Sequence, residues 1–400
     1  MKKLALLCTL SLFSFIALMG QDARPIPGEY IVKIKATSIK PLIQQVQDIS
    51  RTDREANFKN SSQLRTRLEG QLDEIAKRNG VSRISQKFVD ATVAFHLTDL
   101  SQDLANRLMK DPDVEAVSPN FLYTIPKLPY ELPKFATQQT PCAITSAGGF
   151  VDGSAKSTWI WILDTGIDTD HPDLNVQTSP IFARSFIPGE TIEDGDGHGT
   201  HVAGIAAAKN NLFGSVGVSA GAKVVPVKVL NNAGTGSWAG LLNGLNHVAM
   251  YDMPGDVINM SLWGYPTTNC ENANPALRDA IRNIGLVGTF VVTISGNAAD
   301  CTGSGKSLPG CINGTNIFTV ASMTCDKTCS PFSNWGNPSV DWVAVGSNVY
   351  STYKDGGYAT LSGTSMASPV VAGIIHARGG APLIAGSVTC CNGTYRIAKR

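Results

Sequence analysis

The sequence predicts a large α/β domain of three layers, with a mostly parallel central sheet between helices, behind a small α+β domain of ferredoxin-like type. Three observations carry that prediction. Charge is concentrated early: residues 21–128 hold 16 Lys/Arg and 14 Asp/Glu in 108 residues, whereas residues 129–400 hold 15 and 18 in 272. Cysteine is segregated the other way, with eight of nine lying between Cys142 and Cys391. The later segment also carries uninterrupted Val/Ile runs between glycine-rich turns, as strands buried on both faces require.

The chain opens on an address. MKK is followed by LALLCTLSLFSFIALM and then by small or polar residues around Gly20 to Ala23. A positive start, an apolar run and small residues for the peptidase make residues 1–20 a secretory signal peptide. The run is shorter than the ~20 residues that span a bilayer and contains Thr9, Ser11 and Ser14. The expected product is a secreted protein, extracellular or periplasmic, with no membrane anchor. Cys8 leaves with the signal, so eight cysteines remain for an oxidising compartment, and disulfides are expected. Their connectivity is not legible, since eight cysteines allow 105 pairings. Cys325 and Cys329 have a zinc-like spacing, but no second such pair or nearby histidine supports a metal. A hydrophobic content of 43% provides for a sizeable core, and a net charge of +1 gives no basic field for nucleic acid.

The first unit, residues 21–126, reads as alternating strands and helices. GEYIVKIK (28–35) alternates as a half-buried strand does. SSQLRTRLEGQLDEIAKRNG (61–80) places Leu64, Leu68, Leu72 and Ile75 on one face between a starting serine and a closing glycine, which predicts a helix. ISQKFVDATVAFHL (84–97) reads as a strand or hairpin, SQDLANRLMKD (101–111) as a second helix and DVEAVS (113–118) as a closing strand. This order is that of a ferredoxin-like sandwich. Nothing in it is chemically armed, and His96 is expected to be structural. Residues 127–141 fall in a proline-rich linker.

The second unit, residues 142–400, alternates apolar runs with turns and helices: TWIWILD (158–164), HVAGIAAAK (201–209), KVVPVKVL (223–230), AGLLNGLNHVAMY (239–251), DVINMSL (256–262), PALRDAIRNI (275–284), TFVVTIS (289–295) and NIFTVASM (316–323). In such folds sites gather at the carboxyl ends of strands. Three polar residues fall in glycine-flanked turns there. Asp164 ends a strand and begins DTGID. His198 opens a helix in HGTHVAG. Ser365 lies in LSGTSMASPVVAGIIHA, just before an apolar helix in which Pro369 is tolerable only near the start.

Taken singly, each has an ordinary structural explanation: a turn aspartate, a metal-pair histidine, an N-cap serine. The metal explanation fails on the sequence. His198 and His201 are three apart, but their helix supplies no further ligand. With Asp194 as the first position of a cation loop, His198 falls at position five and Ile205 at position twelve, where glutamate is needed.

Taken together, in the order Asp, His, Ser, the segments DTGID, HGTHVAG and GTSMASP resemble the three active-site signatures of the subtilisin-like serine proteases, whose triad order is Asp…His…Ser. The resemblance covers about residues 155–378, and the first unit resembles that family's inhibitory propeptide. It implies a secreted serine endopeptidase that works through a Ser365–His198–Asp164 triad and an acyl-enzyme. It also implies Asn297 of TISGN (293–297) as an oxyanion donor beside the Ser365 N–H. AGTGSW (233–238) is similar to the family's substrate-pairing edge, which implicates Gly234, Thr235 and Gly236. SLWG (Ser261, Leu262, Trp263, Gly264) and Ser295–Gly296 would wall the pocket for the residue before the cut. The family usually has glycine where Trp263 stands. The indole either narrows or blocks that pocket or swings outward, and the sequence leaves both open.

HPDL (171–174) and NNLFGSVG (210–217) resemble the family's calcium loop. The implied ligands are Asp173, Asn211 and carbonyls near Lys209, Phe213 and Ser215, with a further ligand near the mature N-terminus left unidentified. His171, His201, His247 and His376 are expected to be core or turn residues. The implied partners are protein or peptide substrates and the chain's own N-terminal unit acting as an intramolecular inhibitor until cut between Tyr123 and Pro141. The enzyme is expected to be a monomer without an organic cofactor. Rival readings fare worse: GTGSWA resembles part of a dinucleotide fingerprint, but NNA separates it from its strand and Asp256 precedes the next strand instead of ending it. GTSMA also lacks the second glycine of a nucleophile elbow.

Overall fold

The computed structural model describes residues 24–37, 53–125, 137–266, 270–391 and 393–400. The signal segment and much of the linker lie outside these.

The N-terminal unit contains β1 (Arg24–Ile34), α1 (Arg54–Asn60), α2 (Ser62–Arg78), β2 (Gln86–Phe88), β3 (Ala94–Leu97), α3 (Gln102–Leu108) and β4 (Val114–Thr124). Its strands run antiparallel in the order β4-β1-β3-β2, the ferredoxin-like arrangement. Leu64, Leu68, Leu72 and Ile75 of α2 are all buried, packed with Val32, Ile34 and Phe95 of the sheet. Residues 84–97 resolve into the hairpin β2–β3. Helix α1 was not expected from the sequence; Asp53 caps it by accepting from the Ala56 N–H at 2.7 Å.

The second unit is built on β5 (Ile160–Asp164), α4 (His198–Ala207), β6 (Lys223–Lys228), β7 (Thr235–Ser237), α5 (Trp238–Tyr251), β8 (Val257–Met260), α6 (Pro275–Leu286), β9 (Phe290–Ile294), β10 (Ile317–Met323), β11 (Trp342–Val345), α7 (Thr364–Arg378), β12 (Leu383–Cys390) and β13 (Gly393–Lys399). The central sheet runs β12-β13-β11-β10-β9-β8-β5-β6, continued by two short strands, and is parallel except where β12 folds back on β13. Alternation along β5 shows how both faces are used. Ile160 and Ile162 point into one core with α4 and α7, and Trp161 and Leu163 into the other with α5 and α6. Burial on both faces explains why these strands read as continuous apolar runs. Ser237 and Asn274 cap α5 and α6, accepting from the N–H groups of Gly240 and Leu277.

Four disulfides join Cys142–Cys325, Cys270–Cys311, Cys301–Cys391 and Cys329–Cys390. Cys325 and Cys329 go to different partners. Closing loops of up to 183 residues, such links restrict the unfolded chain more than the folded one.

The two units share a sheet. β4 extends past residue 118, because Leu122, Tyr123 and Thr124 pair antiparallel with Ser237, Gly236 and Thr235 of β7. The N-terminal sheet lies on α5 and α6. Asn246 of α5 accepts from the N–H groups of Val89, Asp90 and Ala91, and Asn120 accepts from the N–H of Ala239 in the first turn of α5.

Candidate active site

Asp164, His198 and Ser365 meet at the carboxyl edge of the parallel sheet. Asp164 is the last residue of β5 and is fully buried. His198 Nδ1 lies 2.7 Å from its Oδ1, which also accepts from the Thr165 N–H at 2.8 Å. That bond sets the imidazole tautomer: Nδ1 carries the proton and Nε2 is left as an acceptor. Burial disfavours the imidazolium, but the charge and hydrogen bond of Asp164, with Asp196 and Asp194 beyond, outweigh it and raise the His198 pKa above 6.5.

His198 is the first residue of α4, and its backbone is held by a carboxylate, Asp194, that enters from the sequence only as the start of a rejected cation loop. Buried Asp194 accepts from the Gly197 N–H, the Thr200 N–H and hydroxyl, and the Thr165 hydroxyl, all within 2.7–2.8 Å. The acidic run EDGD therefore supplies the N-terminal cap of α4 and ties it to the DTGID turn. Gly199 completes the contact, since a Cβ there would fall 2.1 Å from the Gly166 carbonyl oxygen.

Ser365 comes from α7, which packs against α4 with Gly373 beside Ala206. Its place beside Asp164 follows from Ser261, to which it is bonded and which the parallel register of β8 and β5 sets level with Asp164. The Ser365 hydroxyl is directed to the Ser261 carbonyl oxygen at 3.4 Å and is not hydrogen-bonded to His198; such contacts often tighten only with substrate bound. Pro369 lies inside α7 and has no N–H for the Ser365 carbonyl four residues before it. The Ser261 hydroxyl takes that place at 2.9 Å.

Asn297 faces the same point. Its Oδ1 accepts from both the N–H and the hydroxyl of Thr364 at 2.8 Å. This fixes the carboxamide so that its NH₂ remains free, beside the Ser365 N–H, one of the first of α7 and without an intrahelical acceptor.

The flanking segments occupy defined places. Gly234, Thr235 and Gly236 form the edge that pairs with β4, continued by a bond from the Ile125 N–H to the Gly234 carbonyl. Gly234 has φ +75°, and a Cβ there would strike Ile125. Tyr123 stacks on Trp238 with ring centroids 4.9 Å apart and abuts Gly264. The Leu262 side chain belongs to the core, and the Ser295 hydroxyl turns back to the Asn334 carbonyl. Trp263 does not swing outward. It is 6% exposed, meets Tyr265 edge-on, and its Cε3 lies 3.2 Å from where a Cβ on Gly296 would be. The indole thus fills the space between the SLWG and SGN segments, and its N–H has no partner.

Away from this edge, Asp173 and Asn211 are in contact. Asp173 is fully buried and accepts from Asn211 Nδ2 at 2.7 Å, the Ser215 N–H at 3.1 Å and the Tyr358 hydroxyl at 3.2 Å. Gln138, absent from the sequence expectation, joins the loop: its Oε1 accepts from the Asn211 N–H. Among the described residues no three His, Cys, Asp or Glu side chains converge on one point. This loop instead brings one carboxylate next to two side-chain amides, whose oxygens accept from the Phe213 and Asn211 N–H groups; carboxylate and amide oxygens are ligand types that suit calcium and not a softer metal. The other histidines of the second unit are tethers: His201 to the Val349 and Ala359 carbonyls, His171 to Gly357, His247 to Phe182 and His376 to Thr158 and Ser219. Burial lowers the pKa of each, that of His201 to about 3 and that of His247 to about 4.

Residues 155–377 match the profile of the subtilase family. The chain is 32% identical over 305 residues to subtilisin amylosacchariticus of Bacillus subtilis subsp. amylosacchariticus, covering 75% of this chain and 73% of that protein. It is equally similar, over the same shares, to subtilisin E of Bacillus subtilis. Thermitase of Thermoactinomyces vulgaris is 36% identical over 245 residues, 60% of this chain and 82% of that one.

Proposed function

Since the chain belongs to the subtilase family and is a serine endopeptidase, we propose that it is a secreted enzyme made as a self-processing zymogen, cutting peptide bonds through an acyl-enzyme on Ser365. The observation that carries this reading is the 2.7 Å bond between buried Asp164 and His198 Nδ1 at the edge where Ser365 lies in the first turn of its helix. With Nδ1 committed, Nε2 is the base. It takes the Ser365 proton as Oγ attacks the peptide carbonyl and returns it to the leaving amine, while Asp164 stabilises the imidazolium. The oxyanion forms between the Asn297 NH₂ and the Ser365 N–H; losing such a donor costs ~10²–10³ in turnover, a figure taken from a subtilisin.

Substrate adds a strand to Gly234–Gly236, the edge that β4 pairs with in the intact chain. The N-terminal unit is accordingly an intramolecular inhibitor, and cleavage between Tyr123 and Pro141 releases it. Trp263 occupies the slot for the residue before the cut, so small side chains are preferred there. Calcium is the structural ion of the Asp173–Asn211 loop, with Gln138 as a further oxygen donor. Export follows from the signal sequence and agrees with the four disulfides.

The test of self-processing is the full-length Ser365→Ala chain expressed alone. It accumulates uncut, whereas the parent chain loses its N-terminal unit. Normal maturation of the variant refutes self-processing.

A further inference from the structure

The first residue of α1, Arg54, leaves the N-terminal unit and enters the second one at a point remote from the catalytic edge. Asp256 precedes β8 and Ser261 follows it, so the two lie at opposite ends of one strand, roughly 17 Å apart at 3.3 Å per residue. Arg54 is 7% exposed there and its guanidinium lies over the Trp159 ring at 3.8 Å. Nη2 donates to Asp256 Oδ1 at 2.8 Å and to the Ser157 carbonyl at 3.2 Å. Nη1 donates to Asp256 Oδ2 and to the Tyr251 carbonyl at 3.0 Å. Each of the four Nη hydrogens thus has an acceptor, and the plane they define lies on an aromatic face.

The receptor half of this contact is built wholly by the second unit. Asp256 is fully buried and is oriented by donors of its own domain: the Trp159 N–H and the Trp161 indole N–H at 2.9 Å, and the Met253 N–H at 3.1 Å. A groove beside it, lined by Trp159, Gln177, Phe182 and Met253 of the second unit and closed in the intact chain by Asp53, Arg54 and Glu55 of the first, gives access from the surface. Departure of Arg54 leaves a buried carboxylate, two backbone carbonyls and an indole face arranged for a planar, fork-shaped cation. An ammonium group matches neither the bidentate geometry nor the stacking.

We propose that the catalytic domain carries a second binding site, specific for a guanidinium group, which Arg54 fills in the intact chain and which an arginine side chain of another polypeptide fills once Arg54 has gone. The site anchors the N-terminal unit independently of the strand in the cleft, and in the mature enzyme it is a docking point for arginine-bearing substrates or inhibitors.

The experiment uses the full-length Ser365→Ala chain with and without Arg54→Ala, with intact mass checked, so that it reads the pocket whatever the role of Ser365. Ethylguanidine is titrated at constant ionic strength while tryptophan fluorescence and thermal stability are followed, with ethylammonium as control. The Arg54→Ala chain responds saturably around millimolar concentrations, ethylammonium acts at least tenfold more weakly, and the chain that retains Arg54 does not respond. Adding Trp159→Leu or Asp256→Asn to Arg54→Ala abolishes the response, two variants serving in case one fails to fold. Equal responses with and without Arg54, or equal responses to the two cations, overturn the proposal.

Discussion

The Ser261 hydroxyl donates to the Ser365 carbonyl oxygen at 2.9 Å, filling the acceptor position that Pro369 leaves without a helical donor. The bond ties the end of β8 to the proposed nucleophile. Ser261→Ala leaves that buried carbonyl unpaired and is expected to cost ~1–3 kcal/mol of stability, with a fall in kcat larger than any rise in KM. Pro369→Ala returns an N–H to the same carbonyl. The double variant Ser261→Ala/Pro369→Ala is therefore more stable than Ser261→Ala alone, and a thermal melt of the three chains in the Ser365→Ala background decides it.

On the proposed mechanism activity requires neutral His198, and the pKa of that group is raised above 6.5. The acid limb of kcat/KM accordingly has its midpoint above pH 6.5. Asp194 is one of the charges that raise it and also caps α4, so Asp194→Asn moves the midpoint down and lowers stability by ~1 kcal/mol. An unshifted pH profile in this variant contradicts the electrostatic part of the account.

The linkage signs of the histidines oppose one another. The stabilisation that His198 gives is present below pH 6.5 and lost as pH rises through its raised pKa. His201 and His247, at about 3 and about 4, bind fewer protons folded than unfolded, so they withdraw stability as pH falls from 6.5 towards 4. Asp168 and Asp341, both raised to about 6 by burial, act with the opposite sign, so the test is a difference: from pH 6.5 to pH 4 the denaturant midpoint of the Ser365→Ala chain should drop relative to that of Ser365→Ala/His247→Asn.

Trp263 packs against Tyr265 and Gly296, in what we propose is the slot for the residue before the cut. Trp263→Gly opens it, and kcat/KM for substrates with Phe, Tyr or Leu at that position rises ~10-fold or more relative to Ala, an energy of ~1.4 kcal/mol. Profiling both enzymes on a mixed peptide library measures the ratio. An unchanged preference removes Trp263 from the account of specificity.

Chelation of calcium in the mature enzyme is expected to lower its melting temperature, and Asp173→Asn to abolish the difference between chelated and calcium-loaded samples. Identical melts of the parent enzyme with and without chelator contradict the calcium assignment.

Much of this arrangement was legible in the sequence because buried parallel strands demand uninterrupted apolar runs and tight helix starts demand glycine. Asp164, His198 and Ser365 stand out in that pattern. The parts that were not legible depend on partners distant in sequence. β4 runs on to Thr124 because its pairing partner is β7, more than a hundred residues later. Asp194 looked like part of an acidic loop until Gly197, Thr200 and Thr165 closed around it. The orientation of Trp263 was undecidable, since it depends on Gly296 and Tyr265 meeting it in space. Helix α1 is too short to show a periodicity of its own.

The central claim is that Ser365 is the nucleophile, and it is tested most directly by treating the mature enzyme with a serine-directed acylating or phosphonylating reagent and mapping the adduct by peptide mass spectrometry. The account predicts one adduct, on the peptide containing Ser365, with loss of activity in proportion to labelling and no labelling in His198→Ala. Full activity after saturating treatment, or an adduct on another residue that tracks the inactivation, would contradict it.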